Sequence, residues 1–199
     1  KNVDIYVTGS NSKFLSSDIS TEFRGRGDEV RVYPLSFAEY VSAYPGDKYD
    51  AWADYCTYGG LPMILARGTD ELKSGYLTML CRELYLKDIE NRNNLRGDNV
   101  MPTLLSVLAS AVGSLTNPTK LANTFASNGM NVSDKTIGLY IDYLQDAFFI
   151  EKAERYDIKG RHYIASPYKY YFTDVGLRNA QLNFRQQEEN HIMENIIYN

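Results

Sequence analysis

Ser10 and Asn11 close an alternating apolar run (Val3, Ile5, Val7) that reads as a β-strand, and Arg24 and Arg26 follow beyond a helical pattern. In nucleotide-binding α/β sheets, polar groups at the carboxyl ends of strands face the phosphate crevice. A serine or asparagine there can touch a γ-phosphate or orient the attacking water. An arginine can reach a neighbouring subunit's phosphate, because phosphoryl transfer rests on positioning and charge stabilisation. The same residues have plainer readings. Ser10 or Asn11 also suits the N-cap of the next helix, and Arg24 and Arg26 suit a solvated helix end where the dipole favours cations.

A second chemistry-bearing set is basic. Lys152, Arg155, Lys159 and Arg161 fall on or near a hairpin expected from Phe148 to Ile164, where clustered charge could meet phosphates. Its plainer reading is a solvated hairpin. The helix before it offers Lys135 but also Asp134, Asp142 and Asp146, which would repel a DNA backbone. A protein-interaction module anchored on Tyr and Phe faces is therefore the alternative. His162 and His191 are too few and too far apart for a metal site, and none is expected.

Net charge is -4, with 44% hydrophobic and 23% charged residues, so a packed core is feasible and nothing global points to nucleic acid or an acidic membrane. The 17 tyrosines are spread along the chain rather than gathered in a low-complexity tract. Cys56 and Cys81 lack metal-ligand spacing and read as reduced thiols of a cytoplasmic protein. No apolar run is long enough to span a bilayer, and no membrane partner is expected.

The elements that must position these residues are mainly helical. Helical spacing runs from Ser12 to Phe23, stopped by Arg24-Gly25-Arg26-Gly27, and a short strand is expected from Glu29 to Tyr33. Ser36 and Glu39 fit a capping box for a helix ending near Tyr44, and another helix is expected from about Tyr49 to Tyr58. From Thr69 to about Asn93 a long helix should carry Leu72, Tyr76, Leu77, Leu80 and Leu84 on one face. Beyond a linker near Arg96-Gly97-Asp98-Asn99 come three helices. The first is marked by Leu104, Leu105, Leu108 and Val112. The second starts at Asn117-Pro118 and the third at Ser133. The hairpin and a short strand at Tyr170-Tyr171-Phe172 follow, and the tail is helical near Ile192 to Tyr198. Three helices and then a β-hairpin is the order of a winged helix-turn-helix.

Val7-Thr8-Gly9-Ser10-Asn11, Arg24-Gly25-Arg26 and Pro34-Leu35-Ser36-Phe37-Ala38-Glu39-Tyr40 resemble the sensor strand and the start of the lid in a prokaryotic AAA+ ATPase family. Members of that family carry a C-terminal domain of unknown function. The resemblance continues through Tyr58-Gly59-Gly60-Leu61-Pro62, Leu86-Lys87-Asp88-Ile89, Ser133 to Ile150 and Lys169 to Asn179, closing at Glu194-Asn195. It covers essentially the whole chain, and the ordered series is far more specific than any one motif.

The resemblance implies the last strands of an ATPase core at 1–34 and a helical lid at 35–97. A winged helix at 98–178 and the start of a nuclease-like domain at 179–199 would follow. Ser10 or Asn11 takes the sensor position and Arg24 or Arg26 the arginine finger, the choice between the arginines staying open. Glu194 becomes a candidate carboxylate of the nuclease-like unit, against a structural role for a lone glutamate on a helix. The parent would use ATP and Mg²⁺. This stretch, without Walker A or Walker B motifs, is expected to be an inactive fragment holding neither. Its partners would be double-stranded DNA or a protein through the winged helix, with a homo-oligomer in the parent. The competing expectation is a non-enzymatic binding module with a degenerate ATPase.

Overall fold

Ser36, Thr69, Asn117 and Ser133 start helices where the sequence marks them. A computed structural model describes Tyr6 and residues 30–95, 99–154, 167–185 and 188–199, apart from the side chains of residues 84 and 85. Helix α1 (Phe37–Ala43) begins at the expected capping box. The Glu39 carboxylate accepts from the Ser36 N–H at 2.8 Å while the Ser36 hydroxyl accepts from the Glu39 N–H. Asp47 caps α2 (Lys48–Tyr58) by accepting from two backbone N–H groups. The four-residue helix α3 (Pro62–Leu65) follows, and Thr69 caps α4 (Asp70–Met79).

The long helix expected from Thr69 is not uniform. Leu80–Leu86 is wound as a π-helix before α5 (Lys87–Arg92) resumes the α pitch. The wider turn rotates the buried face. Cys81 and Leu86, five residues apart, therefore both point inward, with Leu77 and Ile89 inward on either side, whereas Leu72, ahead of the π turn, is 52% exposed.

Helices α6 (Val100–Ser110), α7 (Pro118–Ser127) and α8 (Asp134–Asp146) follow, and their order agrees with the sequence reading. Asn117 caps α7 at 2.7 Å and Ser133 caps α8 at 3.1 Å. Gly129 makes the turn between them with φ 79°. Leu104, Leu105 and Leu108 pack with Leu121 and Phe125 and with Ile137, Ile141 and Leu144 in one continuous core.

Strand β1 (Ile150–Ala153) pairs antiparallel with β2 (Lys169–Phe172), Ile150 opposite Phe172 and Ala153 opposite Lys169. The strand starts at Ile150 rather than Phe148, because Phe148 takes a left-handed turn conformation with φ 53°. Upstream of β2, Tyr168 bridges Thr116 through two backbone hydrogen bonds of 2.7 and 2.8 Å. Helices α9 (Val175–Gln181) and α10 (Glu189–Tyr198) complete the described fold, which is mainly helical with a two-stranded antiparallel sheet.

One further expectation meets a different outcome. Residues 30–33 form no strand, and Val30 and Val32 are 81% and 91% exposed, with no neighbouring strand among the described residues. Residues 155–164 of the expected hairpin lie outside the described residues, as does the helix expected at Ser12 to Phe23, and the described partner of β1 is the strand at Lys169–Phe172 that the sequence reading set apart from that hairpin. Among the described residues no helix is long and apolar enough to cross a membrane.

Candidate functional site

The turn Tyr58-Gly59-Gly60-Leu61-Pro62 and the segment Thr173 to Asn179 lie far apart in sequence and are locked together in the fold. Asp174 caps α9, one carboxylate oxygen accepting from the Leu177 N–H at 3.1 Å. Its other oxygen accepts from the Gly60 N–H at 2.7 Å, across 114 residues of sequence. The approach demands glycine. A Cβ on Gly59 would collide with the Asp174 carboxylate, one on Gly60 with the Leu35 carbonyl, and one on Gly176 with the Tyr58 carbonyl. Gly59 also takes φ 76°, where L side chains are strained.

Asn179 donates from its side-chain amide to the Cys56 and Thr57 carbonyls, each at 2.9 Å, satisfying groups that the end of α2 leaves without a helical partner. Arg178, 2% exposed, donates from Nε to the Ala109 carbonyl at 2.8 Å and from Nη1 to Asn179 Oδ1 at 3.0 Å. The three polar residues thus tie α9 to the Gly59–Gly60 turn, to α2 and to α6. Burial pushes the Asp174 carboxyl up to about 6, against the pull of its backbone donors, and lowers the Arg178 guanidinium.

A second polar group is partly buried. Asp54 accepts from the Tyr40 hydroxyl and from Lys73 Nζ at 2.5 Å, joining α1, α2 and α4. Burial and the adjoining Asp54 carboxylate raise the Tyr40 hydroxyl well above its ordinary range. Neither cluster presents a nucleophile or a poised acid–base pair to an open cleft. Their chemistry is that of linkage, holding distant segments in one arrangement.

At the far side of α9, α10 docks on β2. Glu194 accepts from Lys169 Nζ at 2.5 Å and from the Tyr171 hydroxyl at 2.6 Å, and these donors hold its carboxyl below the usual range. Glu194 is thus paired within the fold, holding α10 to β2. Asn195 accepts from the Phe172 N–H and donates to the Phe172 carbonyl, both at 2.8 Å. Among the described residues no group of three or more His, Cys, Asp or Glu could hold a metal ion.

Residues 49–188 match the family described as a domain of unknown function, DUF8612. The chain belongs to that family. Residues 1–41 match an AAA domain, so the DUF8612 unit follows the C-terminal part of an AAA domain in this chain. An uncharacterized protein of Haemophilus influenzae is 34% identical over 202 residues, which cover 99% of this chain and 50% of that protein. The uncharacterized protein MJ1544 of Methanocaldococcus jannaschii is 25% identical over 207 residues, covering 98% of this chain and 46% of its own length. The chain spans about half the length of these relatives. No solved structure matches it.

The buried junction belongs almost wholly to the DUF8612 match, with Leu35 contributed from the AAA match. Ser10, Asn11, Arg24 and Arg26 lie in the AAA-matched stretch and outside the described residues. Arg155, Lys159 and Arg161, within the DUF8612 match, also lie outside the described residues. Lys152 stands on β1, paired with Glu154 at 2.9 Å and poised over the Tyr168 ring at 4.6 Å. The described structure brings none of the other candidate residues to it. Sequence reasoning assigned no role to Asp174, Arg178 or Asn179. Their signal was three polar residues set in an apolar stretch with Gly176, a pattern that marks buried hydrogen bonding as readily as a surface.

Proposed function

We propose that the full-length protein couples ATP binding and hydrolysis in its AAA domain to a winged-helix module at 98–178 that holds double-stranded DNA or a protein. The observation carrying this reading is the seam between the two matches. The AAA match reaches residue 41, yet from residue 35 onward this segment is built into the DUF8612 fold. The Leu35 N–H donates to the Gly60 carbonyl at 2.8 Å, the Tyr55 hydroxyl donates to the Leu35 carbonyl at 2.8 Å, and Tyr40 is fully buried. A displacement that reaches Leu35 therefore arrives directly at packed elements.

The winged-helix reading is supported by the order α6, the Thr116 bridge, α7, α8, β1 and β2, with Tyr168 joining the bridge to the sheet. In this reading 1–34 closes the ATPase core, 35–97 is its lid and 179–199 begins a nuclease-like domain. ATP with Mg²⁺ supplies the phosphoryl group to be transferred. Ser10 and Asn11 serve as sensor, and Arg24 or Arg26 stabilises charge on a neighbouring subunit's phosphate, which calls for a homo-oligomer.

A protein in place of DNA is favoured by the outward face of α8, where Asp134 and Asp142 are exposed beside Leu139, and by the pairing of Lys152 with Glu154. The test uses the intact protein. ATP turnover that falls on changing Arg24 or Arg26 to alanine is the expected result, and absence of turnover in the unaltered protein refutes the coupling. Duplex affinity that weakens with salt and drops in the Lys159→Ala, Arg161→Ala double variant identifies DNA. Affinity indifferent to both leaves the protein-partner reading standing.

A further inference from the structure

Three residues from distant parts of the chain share one hydrogen-bonded line. The Leu35 N–H donates to the Gly60 carbonyl at 2.8 Å, the Gly60 N–H donates to Asp174 at 2.7 Å, and Asp174 accepts from the Leu177 N–H at 3.1 Å. The Tyr55 hydroxyl holds the Leu35 carbonyl from the other side at 2.8 Å. The middle of this line is backbone on both sides. Gly60 has no room for a Cβ against the Leu35 carbonyl, and Gly59 has none against the Asp174 carboxylate. A shift at Leu35 has no side-chain rotamer to absorb it before it reaches Asp174. The neighbouring contacts differ in kind. Phe37 meets Trp52 and Tyr55 edge-on at 4.9 and 5.5 Å, through rings that can slide.

We infer that Leu35, Gly60 and Asp174 form a latch in which release of the segment at Leu35 loosens the start of α9 and the β2–α10 side packed on it. Asp174 is the last residue before α9, two residues after Phe172, whose backbone groups are held by Asn195 of α10. Release at one end therefore propagates to the sheet through three residues of chain. As a device that transmits nucleotide state, the latch rests on the ATPase reading above. As a coupling between Leu35 and α9, it stands without it.

Amide hydrogen exchange on the intact protein separates the two. Tyr55→Phe deletes one hydroxyl and preserves the ring, so the fold is retained. It should raise exchange at the Leu35, Gly60, Leu177 and Arg178 amides together, by about fivefold, the factor that one hydrogen bond's net contribution supplies. Leu121 and Ile137, in α7 and α8, should keep their wild-type rates. Asp174→Asn should do the converse and raise exchange at Leu35, because coupling between sites is reciprocal. If that variant does not fold, Tyr55→Phe carries the test alone. Unchanged exchange at Leu177 and Arg178, or a uniform rise that includes Leu121 and Ile137, overturns the latch. Adding ATP to the wild-type protein then tests the ATPase reading separately. Faster or slower exchange at both Leu35 and Leu177 supports transmission, and a change at Leu35 that stops short of Leu177 overturns the latch. With the Tyr55→Phe result in hand, no change at either amide refutes the ATPase reading and leaves the latch in place.

Discussion

Replacing Asp174 with asparagine sets two opposing costs against each other, and pH tells them apart. The carboxyl is wholly enclosed, and burial lifts its pKa from 3.8 to about 6 despite the N–H groups of Gly60, Leu61, Gly176 and Leu177. The folded protein therefore holds this proton more tightly than the unfolded chain does. This contribution to stability is fully present below about pH 3.8 and is lost as pH rises through about 6. At 1.36 kcal/mol per unit the full effect is about 3 kcal/mol, of which about 2 kcal/mol is recovered on moving from about pH 7 to about pH 4.5.

Asparagine carries no proton to gain and so lacks this dependence. It also offers one oxygen where the carboxylate offers two, stranding either the Gly60 or the Leu177 N–H at roughly 1–3 kcal/mol. Urea unfolding of both proteins across this pH range gives the difference directly, and carboxyls such as Glu194, whose shift runs the other way, cancel in it. Wild type should gain on the Asp174→Asn variant by about 2 kcal/mol between about pH 7 and about pH 4.5. A flat difference, or one in which wild type gains as pH rises, would falsify the reasoning. Backbone donors would then outweigh desolvation at this carboxyl.

Gly176→Ala should destabilise by about 3 kcal/mol or more, read as a lowered urea midpoint, since the new Cβ falls on the Tyr58 backbone. Asn195→Ala leaves the buried Phe172 N–H without a partner and its carbonyl with one fewer. A loss of about 2–4 kcal/mol in thermal or urea unfolding is expected. Burial pushes the Cys81 thiol up to about 12 and Cys56 to about 11, so thiol titration near neutral pH should find both slow in the folded protein and quick in urea.

The helices that sequence reading located best are those whose start is a local event. Ser36, Asn117 and Ser133 cap α1, α7 and α8 because each cap needs only its own side chain and an N–H three residues on. Helix α9 escaped it for the opposite reason. Val175 through Ala180 are buried on every side, so no amphipathic stripe announces the helix. The π turn at Leu80–Leu86 likewise has no signature in residue type, yet it sets which residues from Cys81 onward face inward. Glu194 shows the same limit at a candidate site. A lone glutamate on a helix is compatible with several roles, and its partners Lys169 and Tyr171, 25 and 23 residues earlier in the chain, were not legible from the sequence. The motif residues around Gly59–Gly60 and Asp174–Asn179 were visible as a series, but that the two series meet is a tertiary fact.

The clasp of Asn195 on Phe172 bears on how any partner can approach. Along the side of β2 that faces away from β1, the Phe172 N–H and carbonyl are taken by Asn195, with Asn199 adding a second bond to the carbonyl at 2.8 Å. The Tyr170 carbonyl accepts from the Gly113 N–H, and Tyr168 is bound to Thr116. Most of the rungs on this margin are thereby taken, which hinders an incoming extended peptide from adding to it. Recognition at this margin of β2 is thereby shifted toward side-chain surfaces, where specificity can be altered one residue at a time without disturbing the sheet.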